Sequence, residues 1–271
     1  MIANARMYSV SPQAAALWRT LLFALIEHAG VDVHLVEHAE CEPLEALWKR
    51  TDQAAVFMCG LPFSRAEPAP LLLAAPVPSP AEFHRLPQYW SELVVRKDSS
   101  MHSIEDTFGG RIALTVRDSQ SGWLAALYFL MSRSGEFPLY REVIAPRVTP
   151  LGALSAVVDG AADVAPIDSY AFCLLQKYRQ DLTCQVRTVA RTEPTPIPPL
   201  VTSSGLESLR AAFLEAHRIA AIAPLMAGLL LERFVIPNAN SYAALRSNYQ
   251  TAVQYWRRHE LARTIHPAFV K

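Results

Sequence analysis

The chain has 271 residues, of which 51% are hydrophobic and 18% charged, and its 25 basic and 25 acidic side chains give a formal net charge of zero. This composition excludes a disordered chain and predicts a globular protein with two domains or one large one. The sequence has no basic run with interleaved aromatic residues, so we expect no nucleic-acid partner.

The longest apolar run and the N-terminus bear on membrane insertion and on the cellular location of the protein. Residues 219–231 form an apolar run that contains Pro224. The run is shorter than the roughly 20 residues that a bilayer span needs, so we predict a buried helix and no membrane insertion. The N-terminus lacks the basic start, apolar stretch and cleavage site of a secretory signal. We therefore expect a cytoplasmic protein if Met1 is the native start, and a periplasmic one if a leader has been removed.

The cysteines and histidines do not form a metal motif. The cysteines show no C-x-x-C pair and no metal-type spacing with histidine, so we predict no metal and no cofactor. We expect them to be small buried hydrophobic residues, and the spacing leaves a Cys173–Cys184 bridge open. They are Cys41, Cys59, Cys173 and Cys184.

The first third of the chain alternates predicted strands and helices. Ser11-Pro12 and Gly30 are typical start and stop signals around a predicted helix over 14–29. The order β-α-β-α-β favours a parallel sheet with helices on its faces. The other predicted elements are strands over 2–8, 31–36, 54–59, 71–77 and 92–96 and a helix over 42–50.

A second α/β unit is predicted from about residue 99, followed by a helical segment. Four prolines within 194–199 predict a stiff, extended connector, because proline cannot donate to a sheet ladder. The predicted strands cover 111–116, 142–148, 163–167, 185–190 and 200–202, and the predicted helices cover 122–131, 151–159, 170–178, 206–217, 219–229 and 241–259.

These two units predict an α/β protein of two Rossmann-like lobes joined by two hinge crossings, with a helical C-terminal segment. Lobe 1 is predicted to be discontinuous, with residues 1–94 and 189–271, and lobe 2 to be inserted, with residues 95–188. Ligands of such sheets bind beyond the carboxyl ends of the strands, at helix starts.

The stretch 117–123 joins a predicted strand directly to a predicted helix. Backbone N–H groups are unpaired at a helix start, and the helix dipole is positive there. Together with the hydroxyls of Ser119 and Ser121, these donors suit an oxyanion of a ligand. The simpler interpretation is an N-cap alone, since serine and aspartate are favoured there. Asp168, at the end of another predicted strand, has the same two interpretations.

Several pieces in order along the chain resemble the phosphate/phosphonate-type substrate-binding proteins of ABC transporters, which have the type 2 periplasmic binding fold. The pieces include Met7-Tyr8, Cys59-Gly60-x-Pro62, Arg111-x-Ala113 with Asp118-Ser119-x-Ser121-Gly122, Gly160-Ala-Ala-Asp163 with Ile167-Asp168, the prolines Pro194, Pro196 and Pro199, and the helix from Tyr242 to Tyr249.

The resemblance implies a two-lobed protein that closes on a small anion. It implies that Ser119, Ser121 and Gly122 hold phosphonate oxygens and that Asp168 pairs with a ligand amino group. It also implies that Tyr8 covers the remainder of the ligand, with Gly60 close to it. Gln120 is predicted to line the same site, although a small hydroxyl residue is often found at its position in phosphonate binders.

The predicted function is therefore a monomeric solute-binding protein for phosphate, phosphonate or a similar oxyanion in an ABC-type uptake system, with an ABC permease as partner. An enzyme or an intracellular ligand sensor on the same scaffold is the alternative. The sequence contains no activated nucleophile or convincing acid–base pair, which counts against the enzyme.

Overall fold

The computed structural model describes residues 1–39, 42–133 and 139–258. These residues form a mixed α/β structure, as predicted. The strands within the described ranges are β1 Ile2–Asn4, β2 His34–Leu35, β3 Gln53–Phe57, β4 Leu71–Pro78, β5 Gln88–Tyr89, β6 Ser91–Arg96, β7 Arg111–Ala113, β8 Glu142–Ile144, β9 Val164–Asp168, β10 Val186–Arg191, β11 Thr195–Pro196, β12 Leu200–Thr202 and β13 Leu231–Val235.

The α-helices in the same part of the chain are α1 Pro12–Ala29, α2 Glu45–Trp48, α3 Gly60–Arg65, α4 Ala125–Met131, α5 Pro150–Val158, α6 Ser169–Tyr178, α7 Gln180–Thr183, α8 Glu207–Glu215, α9 Ala223–Gly228 and α10 Ala243–Arg258. Short 3₁₀ turns and one π-helical turn, Gln120–Leu124, join them.

Residue contacts divide the chain into two units. Unit 1 contains Met1–Tyr89 and Thr195–Ala243, and unit 2 contains Trp90–Pro194 and Ala244–Lys271. The chain therefore passes between the units after Tyr89, after Pro194 and after Ala243. The predicted lobe boundaries (1–94 with 189–271, and 95–188) stay a prediction.

Unit 1 is built on a mixed sheet with the strand order β13-β4-β12-β3-β1-β2. The expected parallel pairing holds for β2, β1 and β3. The returning strand β12 lies antiparallel between β3 and β4, and β13 pairs antiparallel with β4 at the edge. Helix α1 begins and ends where predicted: the Ser11 hydroxyl accepts a hydrogen bond from Ala14 N–H, and Gly30 takes the left-handed conformation, with φ of 64°.

Unit 2 is built on a five-stranded sheet with the order β10-β6-β9-β7-β8. Strand β7 is parallel to β8 and β9, whereas β6 is antiparallel to β9 and β10. Asp163 fixes the start of β7, because its carboxylate accepts hydrogen bonds from the Arg111 backbone N–H at 2.7 Å and from the Arg111 guanidinium at 2.9 Å.

Several predicted elements differ from the structure. Strand β1 ends at Asn4, and a 3₁₀ turn follows instead of a strand to Tyr8. The apolar run 219–231 is not one buried helix, since α9 is short and partly exposed and β13 begins at Leu231. The prediction for 194–199 missed a short strand, because Thr195–Pro196 pairs with β5. Residue 259, the predicted end of the last helix, lies outside the described residues.

Candidate functional site

The predicted anion-binding stretch forms the turn that follows β7. Gln120–Leu124 makes a π-helical turn that continues directly into α4. The Leu124 N–H donates to the Ser119 carbonyl at 3.1 Å, which is the wider i to i+5 bond of a π turn. Such turns inside helices are frequently found at functional sites.

Ser119 has the capping role that its position predicts. Its hydroxyl oxygen accepts a hydrogen bond from Gly122 N–H at 2.9 Å. A serine hydroxyl carries one proton as well as its lone pairs, so an accepting Ser119 can still donate that proton to an anion. Ser119 is only partly buried, whereas Gln120 and Ser121 are 2% and 8% exposed.

Gly122 is required by packing rather than by an unusual backbone angle. A Cβ atom at this position would lie 2.1 Å from the Thr115 hydroxyl oxygen. The Thr115 N–H also donates to the Gly122 carbonyl at 3.1 Å. Because Gly122 N–H is bonded to Ser119, Gly122 contributes to the turn by its small size and by holding the Ser119 hydroxyl.

Asp168 lies at the carboxyl end of β9 and begins α6. One of its oxygens accepts a hydrogen bond from Ala171 N–H at 2.8 Å, so the capping interpretation is correct, and the side chain is buried. Burial and the Asp168 carboxylate both raise the pKa of Tyr170 well above its ordinary value, which keeps this phenol neutral. The contact with a ligand that we predict for Asp168 stays a prediction.

Ser91, which the sequence analysis did not single out, links the turn to the strand that carries Asp168. It is fully buried, and its hydroxyl donates to the Ser121 carbonyl at 2.7 Å. In the pairing of β6 with β9, Ser91 lies opposite Asp168. Unit 2 therefore brings Asp168 and the turn Ser119–Gly122 to the same place.

A second buried carboxylate, Glu92, lies next to Ser91 on β6. It accepts a hydrogen bond from the Trp90 indole N–H at 2.6 Å and forms an ion pair with Arg191 at 2.9 Å. The Arg191 guanidinium also lies 5.5 Å from the centre of the Trp90 ring. These contacts join the first residues of β6 to the last residue of β10.

The other two predicted ligand residues belong to unit 1. Tyr8 is 1% exposed, and its ring packs edge-on against Phe57 at 5.1 Å and parallel to Trp18 at 6.4 Å. These contacts show that Tyr8, in the 3₁₀ turn after β1, packs in the core of unit 1. Gly60 is buried and begins α3. A ligand role for Tyr8 and Gly60 stays a prediction.

The described residues contain no group of three or more potential ligand side chains that could hold a metal ion. None of the helices that they form is long and apolar enough to span a bilayer. Among the described cysteines, Cys59 and Cys173 are buried, as expected for small hydrophobic residues, whereas Cys184 is exposed, and Cys173 and Cys184 form no disulfide bond with each other. Cys41 lies outside the described residues.

Solved structures with the same fold share low sequence identity with the chain. A binding-protein component of an ABC phosphonate transporter from Pseudomonas aeruginosa is 17% identical, with a TM-score of 0.78 over 96% of this chain and 88% of that one. The PhnD1 protein from Prochlorococcus marinus, solved with methylphosphonate, is 16% identical, with a TM-score of 0.75 over 92% and 96%. These likenesses confirm the predicted type 2 periplasmic binding fold.

Another similar structure was solved with a different ligand. A Xanthomonas citri protein bound to ATP is 16% identical to this chain, with a TM-score of 0.58 over 96% of this chain and 98% of that one. A comparison with curated protein sequences finds no match.

The sequence profile of one protein family matches residues 8–242. Its description is "ABC transporter, phosphonate, periplasmic substrate-binding protein". This match confirms the resemblance seen in the sequence. It also confirms the prediction of a solute-binding protein rather than an enzyme, because the family is a transporter component. The chain therefore belongs to the family of phosphonate-binding periplasmic substrate-binding proteins of ABC transporters.

Proposed function

We propose that this protein binds an aminoalkylphosphonate through the turn Ser119–Gly122 and delivers it to an ABC permease. The observation that carries the proposal is a serine-capped helix start next to a buried acidic strand end within unit 2. Closure of the two predicted lobes on the ligand completes the proposal.

The turn offers donors that suit the phosphonate group. The Ser119 hydroxyl accepts from Gly122 N–H, which leaves its proton to donate outward. The helix that begins here runs from Gln120 through Met131, so its positive end lies at this turn. Hydrogen bonds to a charged oxygen are about twice as strong as neutral ones, which favours an anionic head group.

Asp168 favours a ligand that also carries a positive charge. A buried carboxylate near an anionic group is repulsive, and the repulsion is stronger in the low-dielectric interior than in water. An amino group on the ligand would reverse the sign of that interaction. Methylphosphonate, which is bound to the Prochlorococcus marinus protein, supports the head group, and the buried Asp168 supports an amine in place of a simple methyl group.

Isothermal titration calorimetry with 2-aminoethylphosphonate, methylphosphonate and phosphate tests the proposal. We expect 2-aminoethylphosphonate to bind most tightly. The double change Ser119→Ala/Ser121→Ala should weaken the binding of both phosphonates by about 100-fold or more, because two hydrogen bonds to a charged group are lost. The matched control is Ser132→Ala/Ser247→Ala, which removes two exposed hydroxyls of unit 2.

Asp168→Asn separates charge from capping, since asparagine caps helices as well as aspartate does. We expect it to fold normally and to bind methylphosphonate and 2-aminoethylphosphonate with similar affinity. Wild-type affinity in the double serine variant would show that the turn is not part of the binding site. If Asp168→Asn still binds 2-aminoethylphosphonate more tightly than methylphosphonate, Asp168 does not contact the amino group.

A further inference from the structure

A buried polar cluster lies where the chain passes between the two units. The chain leaves unit 1 after Tyr89 and returns to it at Thr195. Ser91 and Thr192 lie within three residues of these two crossings, and they are 0% and 6% exposed. Buried hydroxyls are costly unless their hydrogen bonds are made, so the partners of these two side chains show what the cluster holds together.

Ser91 and Thr192 bind the two crossing segments to each other. The Ser91 N–H donates to the Thr192 hydroxyl oxygen at 2.9 Å, and the Thr192 N–H donates to the Ser91 carbonyl at 3.1 Å. One residue earlier, the Trp90 N–H donates to the Ser169 hydroxyl at 3.1 Å, and the Ser169 N–H donates to the Trp90 carbonyl at 2.9 Å. The first crossing segment is thus bonded both to the second crossing segment and to the start of α6.

The Ser91 hydroxyl extends this cluster to the proposed binding turn through a single peptide group. It donates to the Ser121 carbonyl at 2.7 Å. The N–H of the same peptide belongs to Gly122 and donates to the Ser119 hydroxyl oxygen at 2.9 Å. Because a peptide group is planar and rigid, the orientation of its carbonyl fixes the orientation of its N–H.

We propose that Ser91 is a positioning residue for ligand binding, an inference that rests on the proposed function. Its hydroxyl orients the Ser121–Gly122 peptide, and that peptide orients and polarises the Ser119 hydroxyl that donates to the ligand. Hydrogen bonds in series strengthen one another, so Ser119 becomes a better donor to an anion. Thr192 acts through Ser91, and the cluster couples the binding turn to both crossing segments.

The first test is made on ligand-free protein and does not depend on the proposed ligand. In hydrogen–deuterium exchange, Ser91→Ala should make the peptide that covers residues 119–126 exchange at least tenfold faster. Ser11→Ala is the matched control, because it removes another buried, hydrogen-bonded serine hydroxyl, in unit 1. Unchanged exchange of residues 119–126 in a folded Ser91→Ala protein would overturn the proposal.

The second test measures binding of 2-aminoethylphosphonate. Ser91→Ala should weaken binding about tenfold, a free-energy change of about 1.4 kcal/mol. Ser11→Ala should lower the unfolding temperature and leave the affinity unchanged. Thr192→Val keeps the shape of the side chain and, as a single variant, should weaken binding. In the double variant Ser91→Ala/Thr192→Val it should cause no loss of affinity beyond that of Ser91→Ala.

The possible results separate this inference from the proposed function. Additive losses in the double variant, or wild-type affinity in Ser91→Ala, would overturn the coupling. If the wild-type protein binds no phosphonate, the proposed function fails, and the exchange of residues 119–126 still decides whether Ser91 holds the turn. Faster exchange together with weaker, non-additive binding supports both.

Discussion

Replacing Gly122 with alanine tests the physical basis of the binding turn. The new Cβ atom would lie 2.1 Å from the Thr115 hydroxyl oxygen, 2.7 Å from Cγ2 and 2.9 Å from Cβ of the same side chain. Thr115 is 3% exposed, and its N–H holds the Gly122 carbonyl. The two residues therefore cannot move apart without breaking the hydrogen bond that joins the turn to the segment following β7.

The expected cost follows from overpacking of a buried site. An added methyl group in a well-packed interior destabilises by about 1–3 kcal/mol. In a chain of this approximate size, each kcal/mol lowers the unfolding temperature by about 2–4 °C. Thr115→Ala removes the two closest atoms at a small cost, because among the described residues the Thr115 hydroxyl oxygen has no hydrogen-bond partner. The double variant Gly122→Ala/Thr115→Ala should therefore be more stable than Gly122→Ala, with a coupling energy of about 0.5–3 kcal/mol.

Thermal unfolding and phosphonate titration of the single and double variants provide the assay. Gly205→Ala is the control, because among the described residues a Cβ atom there would contact only the Glu207 side chain, at 3.8 Å. We expect Gly122→Ala to lose stability and binding together, and Gly205→Ala to lose little of either. If Gly122→Ala unfolds at the wild-type temperature, or if Thr115→Ala deepens its defect, the packing argument is wrong.

Two further predictions concern structural contacts in unit 2. Burial alone raises the pKa of Asp163, but the hydrogen bonds from Arg111 hold this pKa below its ordinary value. The ionised Asp163 therefore stabilises the folded protein at any pH above the carboxyl pKa of the unfolded chain. This stabilisation is lost as the pH falls through the lowered pKa of the folded protein. Asp163→Asn should therefore cost about 1–3 kcal/mol in urea unfolding at neutral pH and much less in acid, whereas Asp181→Asn, in an exposed ion pair, should change little at either pH. Trp256→Phe removes the indole donor to the Leu127 carbonyl and should speed proteolytic cleavage within 244–258. Trp48→Phe, which removes a similar bond to Phe57 in unit 1, should not; equal cleavage in both variants would contradict the role of Trp256.

Local signals predicted the elements whose ends are set by their own residues. Helix α1 was predicted from Ser11-Pro12 and Gly30, and the hydroxyl cap and left-handed glycine are both present. Helix α5 has the same kind of start, because the Thr149 hydroxyl oxygen accepts a hydrogen bond from Gly152 N–H. Ser119 and Asp168 were identified by the same rule, because each caps a helix that follows a strand.

Pairings between strands that lie far apart in the sequence were not predicted. Strand β13 follows an apolar, helix-like run, and its strand conformation comes from pairing with β4, more than 150 residues earlier in the chain. Strand β12 separates β3 from β4 only because the chain returns from unit 2, so the order of predicted elements indicated a more parallel sheet than the one that forms. Period and propensity carry no information about such pairings.

The candidate site shows the same limit at the level of single side chains. A serine at the start of a strand has no local feature that marks it as functional, and Ser91 acquires its role from partners 30 and 101 residues away. The hydroxyls that we propose as ligand donors follow from strand and helix boundaries, since those boundaries leave donors unpaired. The groups that hold those hydroxyls in place are set by the tertiary structure. A phosphonate site transferred by motif alone would therefore keep Ser119 and Ser121 but lose the peptide orientation that Ser91 provides.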